Sequence, residues 1–304
     1  VNATRPRRSA LYVPGSNARA LAKAATLHAD VVIVDLEDAV APGAKEEARR
    51  AAIEAIRRGL GPAEVVLRVN GLDTPWGAAD LAAAAGSGAD AVLLPKVEGA
   101  VGVREAAGRL EAGGAPACMA LWAMVETPRG VLRAEEVASA SRRLACLVAG
   151  TSDLTKDLRA RPTPGRTEVL ASLSLIVLAA RAGGLAALDG VFLDLEDEAG
   201  FASACRQGRD LGFDGKTLIH PRTIAPANLE FTPSDGELAL ARRIIEAHAA
   251  AEAAGRGVVV VEGRLVEALH VAEAPVESRL VLRLDPSDLG PLDALMAADP
   301  DGIG

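Results

Sequence analysis

Aromatic residues are scarce in this 304-residue chain: four Phe, two Trp and one Tyr make up 2% of it. A surface that stacks nucleic-acid bases needs rings set among clustered Lys and Arg, whereas the formal net charge is -8. Both features exclude nucleic acid as a partner. Cysteine is rare as well. Cys118, Cys146 and Cys205 are odd in number and widely spaced, which excludes a disulfide framework or a zinc site and suits a reducing compartment. Long apolar runs are also missing, so no membrane-spanning helix is expected. The opening VNATRPRRSA carries the charge of a signal peptide without an apolar run behind it, and a cytoplasmic protein is expected.

What the chain has is apolar residues in short runs. Half of it is hydrophobic, enough to bury one barrel-sized core or two ordinary ones. Runs rich in Val, Leu and Ile recur at 9–14, 31–37, 64–70, 90–96, 117–126, 144–150, 188–195 and 214–221. Between them lie Ala-rich stretches of helical spacing such as ARALAKAATLHA and TEVLASLSLIVLAARAGG, the second closed by Gly183 and Gly184. Continuous apolar strands alternating with helices form a parallel sheet covered on its faces. The pattern predicts an α/β fold, a (β/α)8 TIM barrel, over residues 1–232. A doubly wound open sheet competes, but no GxGxxG follows the first strand. Residues 233–304 form a separate C-terminal extension, with an amphipathic helix opened by Pro233 and Ser234 and a hairpin turned at Glu262 and Gly263.

The run VIVDLEDAV, which holds Asp35, Glu37 and Asp38, nearly repeats as VFLDLEDEA, which holds Asp194, Glu196 and Asp197. Residues that follow the strands of a TIM barrel gather at one rim, where active sites form. Both acidic clusters are expected there, with Arg68, Asn70, Lys96, Glu126, Gly150, Asp153 and His220. A carboxylate after a strand often caps the next helix instead, and that is the reading for Asp197 and Glu198.

The motifs LYVPGSN, DLEDAVAP with its following K and AR, LRVNGLDTPW, LLPKVE, VETPRGV, GTSDLTKDL, LDGVFLDLEDEAGF, LGFDGKTLIHP and VVVVEGRLVEALHV span about residues 8–273 in this order. They resemble the citrate lyase β-subunit, or CitE-like, HpcH/HpaI aldolase superfamily of CoA-ester lyases. The GTSDLTKDL form is similar to a malyl-CoA lyase or thioesterase branch. The resemblance implies a TIM barrel that uses Mg²⁺, or Mn²⁺, to make or break a carbon–carbon bond between an acyl thioester enolate and a keto acid. Some members also hydrolyse the thioester. It implies a CoA thioester and a keto acid as small-molecule partners, and a homotrimer or hexamer in which the C-terminal extension packs on a neighbouring subunit.

Residue by residue, the resemblance makes Glu126 of VETP and Asp153 of GTSD the metal ligands. Mg²⁺ is a hard cation that takes one or two carboxylates, keeps several waters and leaves positions for a keto acid's oxygens. Arg68 of LRVN is implied to hold a substrate carboxylate or a developing enolate oxygen, which its planar fork suits better than lysine would. Gly150 belongs to the same substrate-binding set. Glu37 and Asp38 are implied to orient Arg68 and the waters of the metal, and Asp35 is read as structural. Lys23, with Arg19 nearby, falls where the family has a lysine near the CoA phosphates, although a solvated helix face explains it equally well. The family often carries an aspartate in its C-terminal segment that serves a neighbouring subunit's site as acid or base. In this chain the matching residue is Glu267, one methylene longer.

Three functions follow. The first is a free-standing Mg²⁺-dependent lyase of a β-hydroxyacyl-CoA of the malyl-, citramalyl- or citryl-CoA type. The second is a Schiff-base aldolase built on Lys96. The third is a subunit of a citrate lyase complex that takes its thioester from a carrier protein. The tail from 282 onward, with Pro286 and Pro291, and the preceding Pro275, has no assigned role.

Overall fold

A computed structural model describes residues 5–253 and 258–262, and the backbone of 264–267. The chain divides after Phe231 into two compact units. In the first, eight strands are paired in parallel and in sequence order: β1 (Ser9–Pro14), β2 (Val31–Asp35), β3 (Glu64–Arg68), β4 (Ala91–Leu94), β5 (Ala120–Val125), β6 (Leu144–Ala149), β7 (Ala186–Asp189) and β8 (Gly215–Leu218). β8 pairs back onto β1 through Ser9 and Lys216, which closes the (β/α)8 TIM barrel.

Both faces of each strand are buried, which is why the runs are apolar throughout. Val31, Ile33, Val66, Leu93, Trp122, Met124 and Val148 belong to the core that fills the barrel. Their alternates Val32, Val34, Leu67, Val92, Leu121 and Leu147 pack in the larger outer core with the helices. In the helix Lys45–Arg58, Ala48, Ala52, Ile53, Ala55 and Ile56 are buried, with Glu46 and Glu47 in the first turn and Arg57 and Arg58 in the last, matching the helix dipole. Side chains alternate with period two, so the next inward positions beyond the core are Tyr12, Asp35, Arg68, Glu126 and Gly150. The pairing of β5 with β6 slips at Leu121/Trp122, so that Ala145 and Cys146 both join the interior core and the parity that follows is reset.

The seventh strand departs from the expected one. The run at 188–195 predicts a strand to Leu195, but β7 stops at Asp189 and Leu193 is 66% exposed. The fully buried Asp189 carboxylate accepts from Arg166 (2.7 and 2.8 Å), Lys216 (2.8 Å) and the Gly190 amide (2.8 Å). Its capture of that amide takes the chain out of the sheet. The second acidic cluster therefore lies in an exposed turn, not at a strand end. Asp194 accepts from the Glu196 amide at 3.0 Å, Glu196 pairs with Arg222 at 2.7 Å, and Asp197 caps the helix Glu198–Leu211 through the Gly200 amide at 2.8 Å.

In the second unit the helix Asp235–Ala253 opens with a capping box. Ser234 donates through its amide and its hydroxyl to Glu237 at 2.8 Å each, and the Glu237 amide donates back at 3.3 Å. β9 (Val258–Val261) and β10 (Arg264–Glu267) form the expected antiparallel hairpin. No helix among the described residues is long and apolar enough to cross a membrane. The Pro275, Pro286 and Pro291 segment lies outside the described residues.

Candidate active site

Asp35 and Arg68 are register partners on β2 and β3, so their inward side chains lie side by side. The Arg68 Nε and Nη2 each donate to a different oxygen of Asp35 at 2.7 Å, a bidentate pair that fixes the guanidinium plane. Nη1 is left facing Glu37 at 2.8 Å and Asp38 at 3.5 Å. The plane rests on the Tyr12 ring, 4.7 Å from its centre, a cation–π contact. Asp35 also accepts from the amides of Glu37 (2.8 Å) and Ala39 (3.0 Å), so one carboxylate shapes the loop and aims the arginine. Arg68, Glu37 and Asp35 are buried, whereas the Asp38 side chain is 64% exposed.

Lys96, just past β4, joins this group to the next. Its ammonium lies 2.6 Å from Glu37 and 3.3 Å from Asp153, while its backbone amide donates to Glu126 at 2.7 Å. Lys96 has a φ of 49°, a left-handed conformation that costs energy in a residue other than glycine. Glu126 is 3% exposed, directly after β5 and before Thr127, whose side chain caps the short helix Pro128–Leu132. Asp153 stands on the first turn of the helix Thr151–Asp157 after β6. Gly150 lies between them. A Cβ there would sit 2.6 Å from Glu126 Oε2, so only glycine lets the two strand ends approach this closely. A cleft of about 540 Å³ opens beside Lys96, bordered by Asn70, Leu94, Pro95, Thr127 and Arg129.

The rim thus brings together Arg68, Glu37, Asp38, Lys96, Glu126, Gly150 and Asp153. Other expected residues fall elsewhere. Lys23 and Arg19 are exposed on the helix Ala18–Ala24, and His220 caps a turn through the Arg222 amide at 3.2 Å. Glu267 is described by its backbone alone, in β10. Tyr12 and Lys45 were missed. Their part depends on a ring beneath a guanidinium and on an ammonium reaching back to carbonyls, contacts between elements that no single motif displays.

A family model described as HpcH/HpaI aldolase/citrate lyase matches residues 8–221. A (3S)-malyl-CoA thioesterase of Cereibacter sphaeroides is 48% identical over 270 residues, covering 88% of this chain and 92% of that protein. The chain belongs to the HpcH/HpaI aldolase/citrate lyase family. The citrate lyase subunit beta of Escherichia coli is 40% identical over 285 residues, covering 92% of this chain and 93% of its own. Among solved structures, CitE from Mycobacterium tuberculosis in complex with magnesium, acetoacetate and coenzyme A is 35% identical with a TM-score of 0.74, covering 92% and 98%. The chain is therefore an enzyme of the citrate lyase/HpcH family.

Electrostatics at the rim suit the magnesium seen in that relative. Burial pushes the Glu126 carboxyl up to about 7, against the pull of Lys96. Burial likewise raises Glu37 above the usual carboxylate range despite Arg68 and Lys96. The carboxylates outnumber the cations that face them, so a further positive charge is favoured. Among the described residues no three His, Cys, Asp or Glu side chains are grouped to hold a metal by themselves. Two carboxylates with water and substrate filling the remaining positions is the Mg²⁺ pattern, and Glu126 with Asp153 fits it. Burial lowers the Lys96 pKa, but its bond to Glu37 and the surrounding carboxylates outweigh that and raise it. A Schiff-base lysine must shed its proton to attack, so this family member's Lys96 is poorly suited to that chemistry.

Proposed function

We propose that the enzyme cleaves the carbon–carbon bond of a β-hydroxyacyl-CoA of the malyl-CoA type, giving an acyl-CoA and a keto acid. The observation that carries this is the meeting of Glu126, Asp153, Lys96, Glu37 and Arg68 at one rim. Mg²⁺ held by Glu126 and Asp153 would supply Lewis-acid polarisation of the keto acid's oxygens. Arg68, held rigid by Asp35 and Tyr12, offers Nη1 to the negative charge that develops on the thioester oxygen. Lys96 neutralises a carboxylate of the substrate or of Glu37 in turn. As the Cα–Cβ bond breaks, the β-hydroxyl loses its proton to become the keto acid's carbonyl and the α-carbon of the acyl-CoA gains one. Glu267 of a neighbouring copy in a trimer or hexamer is assigned to give the latter, on the family resemblance, and the proton released restores it through solvent.

A second reading is hydrolysis of the same thioester, favoured by the 48% identity to a (3S)-malyl-CoA thioesterase. A third, a carrier-bound thioester in a complex, draws on the citrate lyase subunit beta relatives. The purified chain, given Mg²⁺ and free malyl-, citramalyl- or citryl-CoA, separates them. Keto acid formed without free thiol is the result expected of the lyase. Thiol without keto acid would replace it with hydrolysis, and no turnover of any free CoA ester would favour the carrier-bound reading.

A further inference from the structure

Two motif residues, Lys45 and Arg49 of the K and AR that follow DLEDAVAP, lie behind the rim, and Asn70 of LRVN, which borders the cleft, joins them to it. Lys45 is 6% exposed. An ammonium has three protons to donate, and all three are used: to Leu36 O at 2.9 Å, to Glu37 O at 2.7 Å and to Asn70 Oδ1 at 2.7 Å. Its charge also lies 5.4 Å from the centre of the Trp76 ring. Asn70 is held in turn. It donates through Nδ2 to Leu36 O at 3.0 Å and to Asp80, and through its amide to Asp80 at 3.0 Å, while Arg49 pairs with the fully buried Asp80.

Burying an ammonium against carbonyls without a carboxylate in contact is costly, and an apolar side chain would fill the space more cheaply. What the charge adds is a grip on two consecutive carbonyls. The amide of Glu37 is tied to Asp35 at 2.8 Å and its carbonyl to Lys45, so both peptide groups of that residue are fixed. The side chain leaves in one direction, toward Arg68 at 2.8 Å and Lys96 at 2.6 Å. Among the described residues, the buried Glu37 Oε2 has no hydrogen-bond partner and is paired with the Arg68 guanidinium. Glu37 is thus held at its backbone by Asp35 and Lys45 and at its carboxylate by Lys96 and Arg68.

We propose that Lys45 is a positioning residue that fixes the Glu37 carboxylate between Arg68 and Lys96, with Asn70, Asp80 and Arg49 keeping the lysine in place. This rests on the reading of the rim as the catalytic site. The test compares Lys45→Met, Glu37→Gln and the double variant in thioester turnover, with a crystal structure of Lys45→Met. Loss of hydrogen bonds to a buried charge should lower kcat by about 30-fold or more, with KM changed less than about threefold. The double variant should be no slower than the slower single variant, because both substitutions remove one function. In the crystal the Glu37 carboxylate should leave Lys96. Multiplying effects, or a Glu37 that stays in place in the Lys45→Met crystal, would overturn the proposal. Asn70→Ser removes one of the three acceptors and serves if Lys45→Met does not fold: about a fivefold loss that vanishes in the Glu37→Gln background is expected, and an undiminished loss there overturns the proposal. Normal turnover of Glu37→Gln would leave Lys45 no catalytic carboxylate to position and overturn the proposal, whereas loss of turnover in chelator and in the Glu126 variant tests the reading of the rim separately.

Discussion

Arg68 shows why residue type matters at this rim. Asp35 holds two of its nitrogens at 2.7 Å and Tyr12 holds its plane, leaving Nη1 to face the site. Lysine keeps the charge but cannot make the paired bonds, so Arg68→Lys is expected to lose about 100-fold or more in kcat/KM. Near-normal steady-state kinetics would show that the fork is not needed. Glu126 gives a pH signature. Its folded value of about 7 lies above the unfolded value of about 4.3, so it favours the fold fully below the latter and that contribution is lost as pH rises toward the former. Mg²⁺ held by Glu126 would compete with that proton. Added Mg²⁺ should therefore raise the melting temperature more at about pH 8 than at about pH 6, and Glu126→Gln should abolish the difference. Equal shifts at both values would remove Glu126 from the metal site. The rim placement of Arg68, Glu126 and Asp153 was legible because they stand at or just beyond the ends of apolar runs, and their roles came from the resemblance carried by LRVN, VETP and GTSD. Tyr12 and Lys45 were not, because cation–π stacking and a lysine reaching back nine residues depend on how β1, β3 and the helix Lys45–Arg58 come together.

The elements place these residues, and two substitutions tell a rim position from a structural one. Gly150 lets the end of β6 approach Glu126, and an alanine Cβ would press on that carboxylate. Gly150→Ala is expected to cost at least about tenfold in turnover and, because its Cβ would also collide with the Cβ of Glu126, to lower stability by about 1–3 kcal/mol. Full activity would place the metal away from Glu126. Asp197 is the structural position. It caps the helix Glu198–Leu211, so Asp197→Ala should lower stability by about 1 kcal/mol and leave kcat/KM unchanged within about twofold. A large loss of activity would return the second acidic cluster to the site. That cluster misled the sequence reading because VFLDL has the composition of a strand. The strand's end is decided by Asp189, whose partners Arg166 and Lys216 come from distant parts of the chain.

At the scale of the whole molecule, the barrel was legible because eight apolar runs alternate with helical stretches and each run is buried on both faces. The hairpin was legible from VVVVEGRLVE alone. The role proposed for Glu267 would depend on an assembly of copies, which one chain's periodicity does not encode. The rim is proposed to work through a divalent cation held by Glu126 and Asp153 on a CoA thioester. Turnover of malyl-CoA by the purified enzyme, in excess chelator and again after Mg²⁺ is restored, tests it most directly. Activity that disappears with chelator, returns with Mg²⁺, and is missing in both Glu126→Gln and Asp153→Asn is the predicted result. Undiminished turnover in chelator, with borohydride trapping substrate on Lys96, would contradict it.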